Sequence, residues 1–485
     1  MRILKIALVT VIFSMHLSAQ TAEDAVNLLE DEQGFGLRAM ALGNSYTALA
    51  NDYSGIYYNP AGLADVKVGQ FSASISNFNR QTDADFLGNS FSDDLNSTKF
   101  QSLGLVFPFP VVRGSFVMAL GYQKIKDYEN YLKINGFQAE SNGLDLPIIN
   151  DLGDFGNWPF DRQLEQEMNT DTEGSLSQWS FGMAMDFSPN FSAGLSLNIY
   201  DGKRTDNYEY FQAAVNDAND AIMEGFEYSP ELLFYSYDLQ QKLKSEFSGF
   251  EFKIGGLFDI LPDRLKIGAN VTFPLHFKVN EKWSVNDDIE YDIIRMESID
   301  TVTTYEISST YDESGNFDYL INIPFKFSAG LAFNYSIFLV TASLDYRDWS
   351  QLKYDIPNDR RHEDYDALMD QNQYFRDDFT AVTTYSIGGE VSLLNDRLKL
   401  RGGFRNVPSP IKELGSDYNK KYISTGLGYQ VDKSTIIHLT YVRGSWKGDK
   451  YYYYDTFDDD GAEPLVTSEN YVTNKILIGA QFNFR

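Results

Sequence analysis

The feature that most constrains this chain is a two-residue rhythm that recurs in fourteen runs, separated in turn by tight turns and long polar segments. Near the C-terminus Ile476, Ile478, Ala480, Phe482 and Phe484 share one face, while Leu477, Gly479, Gln481 and Asn483 share the other, which is the period of a strand. From Phe338 onward, Val340, Ala342, Leu344 and Tyr346 alternate with Thr341, Ser343, Asp345 and Arg347. The runs lie roughly at 68–79, 99–110, 113–124, 177–188, 190–203, 248–260, 264–282, 317–334, 337–349, 379–393, 396–407, 419–431, 433–446 and 473–484. Tight turns such as Leu261-Pro262-Asp263, Tyr335-Ser336 and Val431-Asp432 alternate with long polar segments at 80–98, 125–176, 204–247, 283–316, 350–378, 408–418 and 447–472. A soluble sandwich also alternates, but its bulky face points inward and its two ends carry similar loops. Bulky-out, small-or-polar-in runs joined by strictly alternating short and long connections are the pattern of a closed transmembrane barrel. The expected fold is therefore all-β: a 14-stranded antiparallel transmembrane β-barrel with both chain ends on the short-turn, periplasmic side.

The opening residues agree with export. Met1-Arg2-Ile3-Leu4-Lys5, an apolar stretch from Ile6 to Phe13 and Leu17-Ser18-Ala19 are the parts of a secretory signal peptide, with cleavage expected after Ala19. The expected division is signal peptide 1–19, an N-terminal plug 20–66 and a barrel 67–485. Nothing later resembles the roughly 20 apolar residues that a spanning helix needs.

Composition narrows the chemistry. With no cysteine and four histidines, His16, His276, His362 and His438, neither a thiolate nucleophile nor a clustered-histidine site can be built. No Gly-x-Ser-x-Gly elbow and no phosphate loop occurs, so no catalytic residues, metal or cofactor are expected. A net charge of −29 excludes nucleic acid as a partner. Asp455 to Gly461 hints at a calcium loop, but Thr456 and Thr467 stand where acids are required, and a solvated acidic loop is the better reading.

Residues 20–66 do not alternate. They read as short helices and turns, too small to bury a core of their own, and the lumen of a wide barrel is the obvious host. Here the residues become familiar. Gly36-Leu37-Arg38-Ala39-Met40-Ala41-Leu42-Gly43-Asn44, continuing to Asp52, and Tyr57-Tyr58-Asn59-Pro60-Ala61-Gly62-Leu63-Ala64 resemble the N-terminal hatch of the FadL family of outer-membrane transporters for long-chain fatty acids and hydrocarbons. That resemblance implies a small helical plug in the lumen, with Asn59, Pro60, Ala61 and Gly62 as its hatch or gating motif. It also implies an outer-membrane location, long-chain fatty acids and outer-membrane lipid as partners, and passage through the barrel-assembly machinery during insertion. The family's third strand is kinked to open a lateral exit; the third run here offers Gly114 and Gly121. Barrels of the PorV type, which assist protein secretion, are the alternative reading.

The inward face carries several cations. An amphipathic acid needs an apolar slot and a cationic anchor, which makes Lys326, Arg347 and Arg401 the candidate substrate-binding residues. The competing reading is that such cations pair with inward acids, among them Glu251, Asp345 and Glu390, and wire the lumen together.

Overall fold

The computed structural model describes residues 22–29, 34–140, 145–149, 155–159, 162–216, 221–222, 231–298, 301–357, 365–451 and 466–484. The signal peptide, His16, His362 and the acidic run 455–461 lie outside them.

Fourteen wall strands follow one another around the barrel: β1 (Gly69–Phe86), β2 (Asn89–Phe109), β3 (Phe116–Asp127, resuming at Asn130–Gln138), β4 (Leu164–Ser188), β5 (Phe191–Ala214) and β6 (Glu231–Leu261). Then come β7 (Leu265–Thr272, resuming at Leu275–Ser298), β8 (Thr301–Ile323, resuming at Lys326–Tyr335), β9 (Phe338–Asp348) and β10 (Ala381–Leu393). The last are β11 (Leu398–Val407), β12 (Lys420–Gln430), β13 (Thr435–Tyr451) and β14 (Val466–Phe484). Each pairs antiparallel with its chain neighbours, and β14 closes the cylinder on β1 from Gly69↔Phe484 to Asp85↔Ser468. Closure leaves no edge of unpaired backbone to face lipid.

The alternation has the expected sense. Phe338, Val340, Leu344 and Tyr346 of β9 are exposed on the outer surface, while Thr341 and Ser343 are buried within. Lipid is the solvent such a surface suits, since no soluble barrel would present an unbroken apolar belt. Strand lengths are uneven, however. β11 spans 10 residues and β9 spans 11, about what a bilayer crossing requires, whereas β4 spans 25 and β6 spans 31. Much of what reads as loop at 80–98, 204–247 and 283–316 is strand continuing beyond the membrane. Those extensions form a collar with its own core, including Phe86, Leu132, Leu164, Met168 and Phe234.

Residues 34–66 fill the lumen: α2 (Leu37–Ala41), α3 (Gly55–Tyr58) and a 3-10 helix (Pro60–Asp65) pack within the wall. Close approach is possible because the wall turns glycine toward them. A Cβ at Gly403 of β11 would meet the Gly43 nitrogen at 2.1 Å, one at Gly388 of β10 the Leu42 carbonyl oxygen at 2.4 Å, and one at Gly268 of β7 the Thr47 carbonyl oxygen at 2.2 Å. Gly194 of β5 and Gly255 of β6 stand likewise against Pro60 and Asn59. Register makes these positions a belt, for Gly388 faces Gly403, Gly255 faces Gly194 and Gly268 faces Gly330. Side chains there would leave no room for a backbone to lie against the wall.

One expectation fails. The start of the described chain does not sit on the short-turn side. Helix α1 (Ala22–Leu29) packs on a short helix (Asn372–Asp378) in the long connection between β9 and β10, and the Lys126 ammonium donates to the Asn27 carbonyl. Ala22, Ala25 and Val26 form an apolar stripe that is buried there. The last strand does end on the short-turn side, where Phe484 pairs with Gly69.

Candidate binding site in the lumen

Two groups of inward side chains stand out, and the three candidate cations divide between them.

The first group fastens plug to wall. Arg38 of α2 makes a fork to Glu390 of β10, with Nε to Oε2 at 3.0 Å and Nη2 to Oε1 at 3.0 Å, while its Nη1 donates to Asn51 Oδ1 at 2.9 Å. Arg401 of β11 donates to the same carboxylate at 2.6 Å and lies 3.1 Å from His438 Nδ1, which must accept from a guanidinium that has only donors. Glu390 is thus shared between a plug cation and a wall cation. Next to it Tyr46 donates to Asp52 at 2.8 Å, and burial together with the Asp52 charge pushes its phenol well above the usual range. Arg401 is therefore engaged in structure, as the pairing reading of the sequence holds.

Asn59 is a second fastener. Its side-chain oxygen accepts from the Ala61 N–H at 3.1 Å, capping the 3-10 helix that Pro60 begins, and its amide donates to the carbonyls of Thr47 at 2.9 Å and Gly256 at 3.0 Å. Ala61 packs against the wall at Gly194, and Gly62 abuts Ala50 within the plug. All four motif residues are buried. Asn59→Ala would remove three hydrogen bonds and take this partner from the Ala61 N–H and the Thr47 carbonyl, a loss of about 1–3 kcal/mol for each group left unsatisfied, and should appear as faster proteolysis of residues 34–66 in the folded barrel.

The second group surrounds a small open recess, about 50 Å³ in volume, on the long-connection side of the plug. Apolar and aromatic side chains form most of its wall: Tyr57 from α3, Ile125, Leu176, Tyr200, Phe277 and Ile323. Its charged lining is Lys253, Lys326 and Arg347, with Glu251 as the one carboxylate, and Thr272 adds a hydroxyl. Glu251 is already held by the Asn198 amide at 2.9 Å, by the Tyr200 hydroxyl at 3.1 Å and by Lys253 at 3.8 Å. Lys326 and Arg347 stand opposite each other in the β8–β9 ladder. Lys326 Nζ lies 5.7 Å from the Tyr57 ring centroid and the Arg347 guanidinium 5.1 Å from that of Trp349. Among the described residues neither makes a salt bridge, and Arg347 Nε is buried without a hydrogen-bond partner. In a chain carrying −29, a net-positive recess is a local reversal of charge.

Two of the three candidate cations thus meet at one site and the third does not. Lys253 and Tyr57 join them; the alternation of β6 already places Lys253 beside Glu251 on the inward face, whereas Tyr57 reaches the site only because the plug folds as it does.

The two glycines suggested for a lateral gate lie elsewhere than a kink. Gly114, at φ +70°, belongs to the turn before β3, outside the strand, and Gly121 backs onto Tyr53 of the plug. The irregularity of β3 comes later, with a register shift between Lys124 and Lys126 and an interruption at Tyr128-Glu129.

No protein-family model matches this sequence, and no curated protein matches it. Solved structures do. The toluene transporter TodX of Pseudomonas putida superposes with a TM-score of 0.55 at 12% identity, covering 94% of this chain and 100% of its own. A Pseudomonas aeruginosa FadL homologue gives 0.53 at 13%, covering 94% and 98%, and the Ralstonia pickettii toluene transporter TbuX 0.51 at 13%, covering 94% and 100%. At such identities what is shared is the fold: a FadL-type barrel along nearly its whole length.

Proposed function

We propose that this chain is an outer-membrane transporter that admits hydrophobic compounds by passive diffusion, and that its substrates carry a carboxylate, long-chain fatty acids foremost. The fold it shares with transporters of toluene supports the first part. The second rests on one observation: an aromatic-walled recess lined by three cations, Lys253, Lys326 and Arg347, against one carboxylate, Glu251, in which neither Lys326 nor Arg347 makes a salt bridge among the described residues, the Lys326 charge acting through space on the part-buried Asp345. Toluene needs no cation, whereas a fatty acid needs an apolar slot and a charged anchor together.

The test is binding of radiolabelled oleate to the purified, folded barrel. Hydrogen bonds to charged groups contribute about 1.5–3 kcal/mol each, so Lys326→Gln with Arg347→Gln should weaken oleate binding tenfold or more. Binding of an uncharged hydrocarbon should change little. Equal loss for both ligands would mean that the substitutions disturb the fold of the recess and that no carboxylate is read there.

A further inference from the structure

Along the outer surface, the apolar belt of β5, β6 and β7 stops at one rung of the sheet. On β6 the outward positions from Phe258 through Ile254 and Phe252 to Phe250 carry no polar side chain, a run of nine residues and about one bilayer crossing. Phe250 stands opposite Ile199 of β5 and His276 of β7. The same rung continues through Trp179 of β4 to Tyr122 of β3, whose rings lie 5.1 Å apart. Tryptophan and tyrosine gather at the level of the lipid headgroups, so this rung marks the boundary of the leaflet on the long-connection side.

Five lysines follow it. Lys278 lies two residues beyond the rung, Lys203 four, Lys244 and Lys282 six and Lys242 eight, all of them exposed on the outer face of three adjoining strands. Lys244 and Lys282 are register partners, so two ammoniums stand directly opposite each other, which weakens a ladder unless an anion comes between them. Among the described residues none of the five makes a salt bridge or a side-chain hydrogen bond, although Asp201 and Glu246 lie inside the group and Glu173 and Asp318 at its borders. The corresponding stretch of β1 and β2 is different. Beyond their belt the outer face carries Asn79, Gln81, Asp83 and Asp85 and, on β2, Asp94, with no lysine or arginine among them. In a chain of 69 acids and 40 bases, a field of lysines on one side of the wall is complementary to an anion held at the membrane surface.

Height decides which anion fits. Strands rise about 3.3 Å per residue and tilt by about 40° in such barrels, which sets the lysines about 5, 10, 15 and 20 Å above the rung. The headgroup layer of a phospholipid leaflet is only about 5–8 Å deep, so a phospholipid phosphate lies at the level of Lys278 and below the other four. A lipid whose head is a phosphorylated saccharide carries anions to the higher levels as well.

We infer that the outer face of β5, β6 and β7 binds the phosphorylated saccharide head of an outer-leaflet glycolipid, with Lys203, Lys244 and Lys282 holding its phosphates and the rung from Trp179 to Phe250 lying against its acyl chains. The site is on the outside of the wall and does not depend on what the lumen carries. To test it, the purified, folded barrel in detergent is titrated with lipopolysaccharide bearing a phosphorylated core, with the same lipopolysaccharide stripped of phosphate, and with phosphatidylglycerol, bound lipid being counted by native mass spectrometry. Heat-dependent gel mobility verifies that each variant is a closed barrel. The expected result is that the phosphorylated lipopolysaccharide binds at least tenfold more tightly than either other lipid. Lys203→Gln with Lys244→Gln and Lys282→Gln should abolish that preference, and arginine at the same three positions should keep it. Equal binding of the phosphorylated and stripped forms, or an unchanged preference in the glutamine variant, would overturn the site. Phosphatidylglycerol bound as tightly would overturn the saccharide head, and the free core saccharide bound as tightly as the whole lipid would overturn the lipid as occupant.

Discussion

Replacing Gly403 with valine opens the barrel to water-soluble solutes. A Cβ at that position would lie 2.1 Å from the Gly43 nitrogen and 2.2 Å from the Leu42 carbonyl carbon, both backbone atoms that no rotamer change can move aside. Gly43 cannot yield by growing away, since it holds φ +66° and its own Cβ position lies 2.6 Å from the Phe404 nitrogen. Overpacking of a tight core costs roughly 1–3 kcal/mol or more, and here the displaced party is a plug held by a limited set of contacts. The wall, laced by ladders on both sides of β11, should survive. Gly402 next door supplies the comparison. The only close atom around its Cβ position is the Ser424 carbonyl oxygen at 3.9 Å, so Gly402→Val should be silent. Planar-bilayer conductance reads the outcome: a several-fold rise for Gly403→Val, with none for Gly402→Val.

Glu390→Ala should release the plug more thoroughly than any other single loss of a polar contact. The carboxylate answers two guanidiniums, Arg38 at 3.0 Å and Arg401 at 2.6 Å, and its side chain is 5% exposed. Removing it leaves two like charges facing each other with little water, and breaking a buried pair in this way costs about 3–5 kcal/mol. Proteolysis of residues 34–66 in the folded barrel should quicken by two orders of magnitude or more. Because part of that cost is mutual repulsion of the cations, adding Arg401→Gln should recover some of it. Additive losses in that cycle would show that the three side chains do not act as a unit.

The barrel was legible because its constraint is local and repeated. A closed sheet in lipid must alternate at every strand, so Val340, Thr341, Ala342 and Ser343 declare their faces without knowledge of their neighbours. The plug was legible in part: the run that contains Arg38 and the Asn59-Pro60-Ala61 turn stood out, but not the pairing of Arg38 with Glu390, which lies 352 positions away. Lys326 and Arg401 are alike as inward cations in sequence. What separates them is the depth at which the plug ends, leaving one against Glu390 and the other above Tyr57. The collar was missed because its strands carry polar residues on the outer face once they leave the bilayer, and Asp, Asn and Ser then read as loop. The break between β7 and β8 was hidden for the same kind of reason: Pro274 and Pro324 become one feature only when the register sets them opposite each other.

The most direct measurement is uptake of radiolabelled oleate by cells lacking their own fatty-acid porin, expressing this chain or its Lys326→Gln, Arg347→Gln variant, with both shown to be folded in the outer membrane. Uptake well above the empty-vector background, falling about tenfold or more in the variant, is the predicted result. Background uptake by the folded wild-type barrel would contradict it, and would leave an uncharged hydrocarbon or a protein-secretion partner as what this barrel serves.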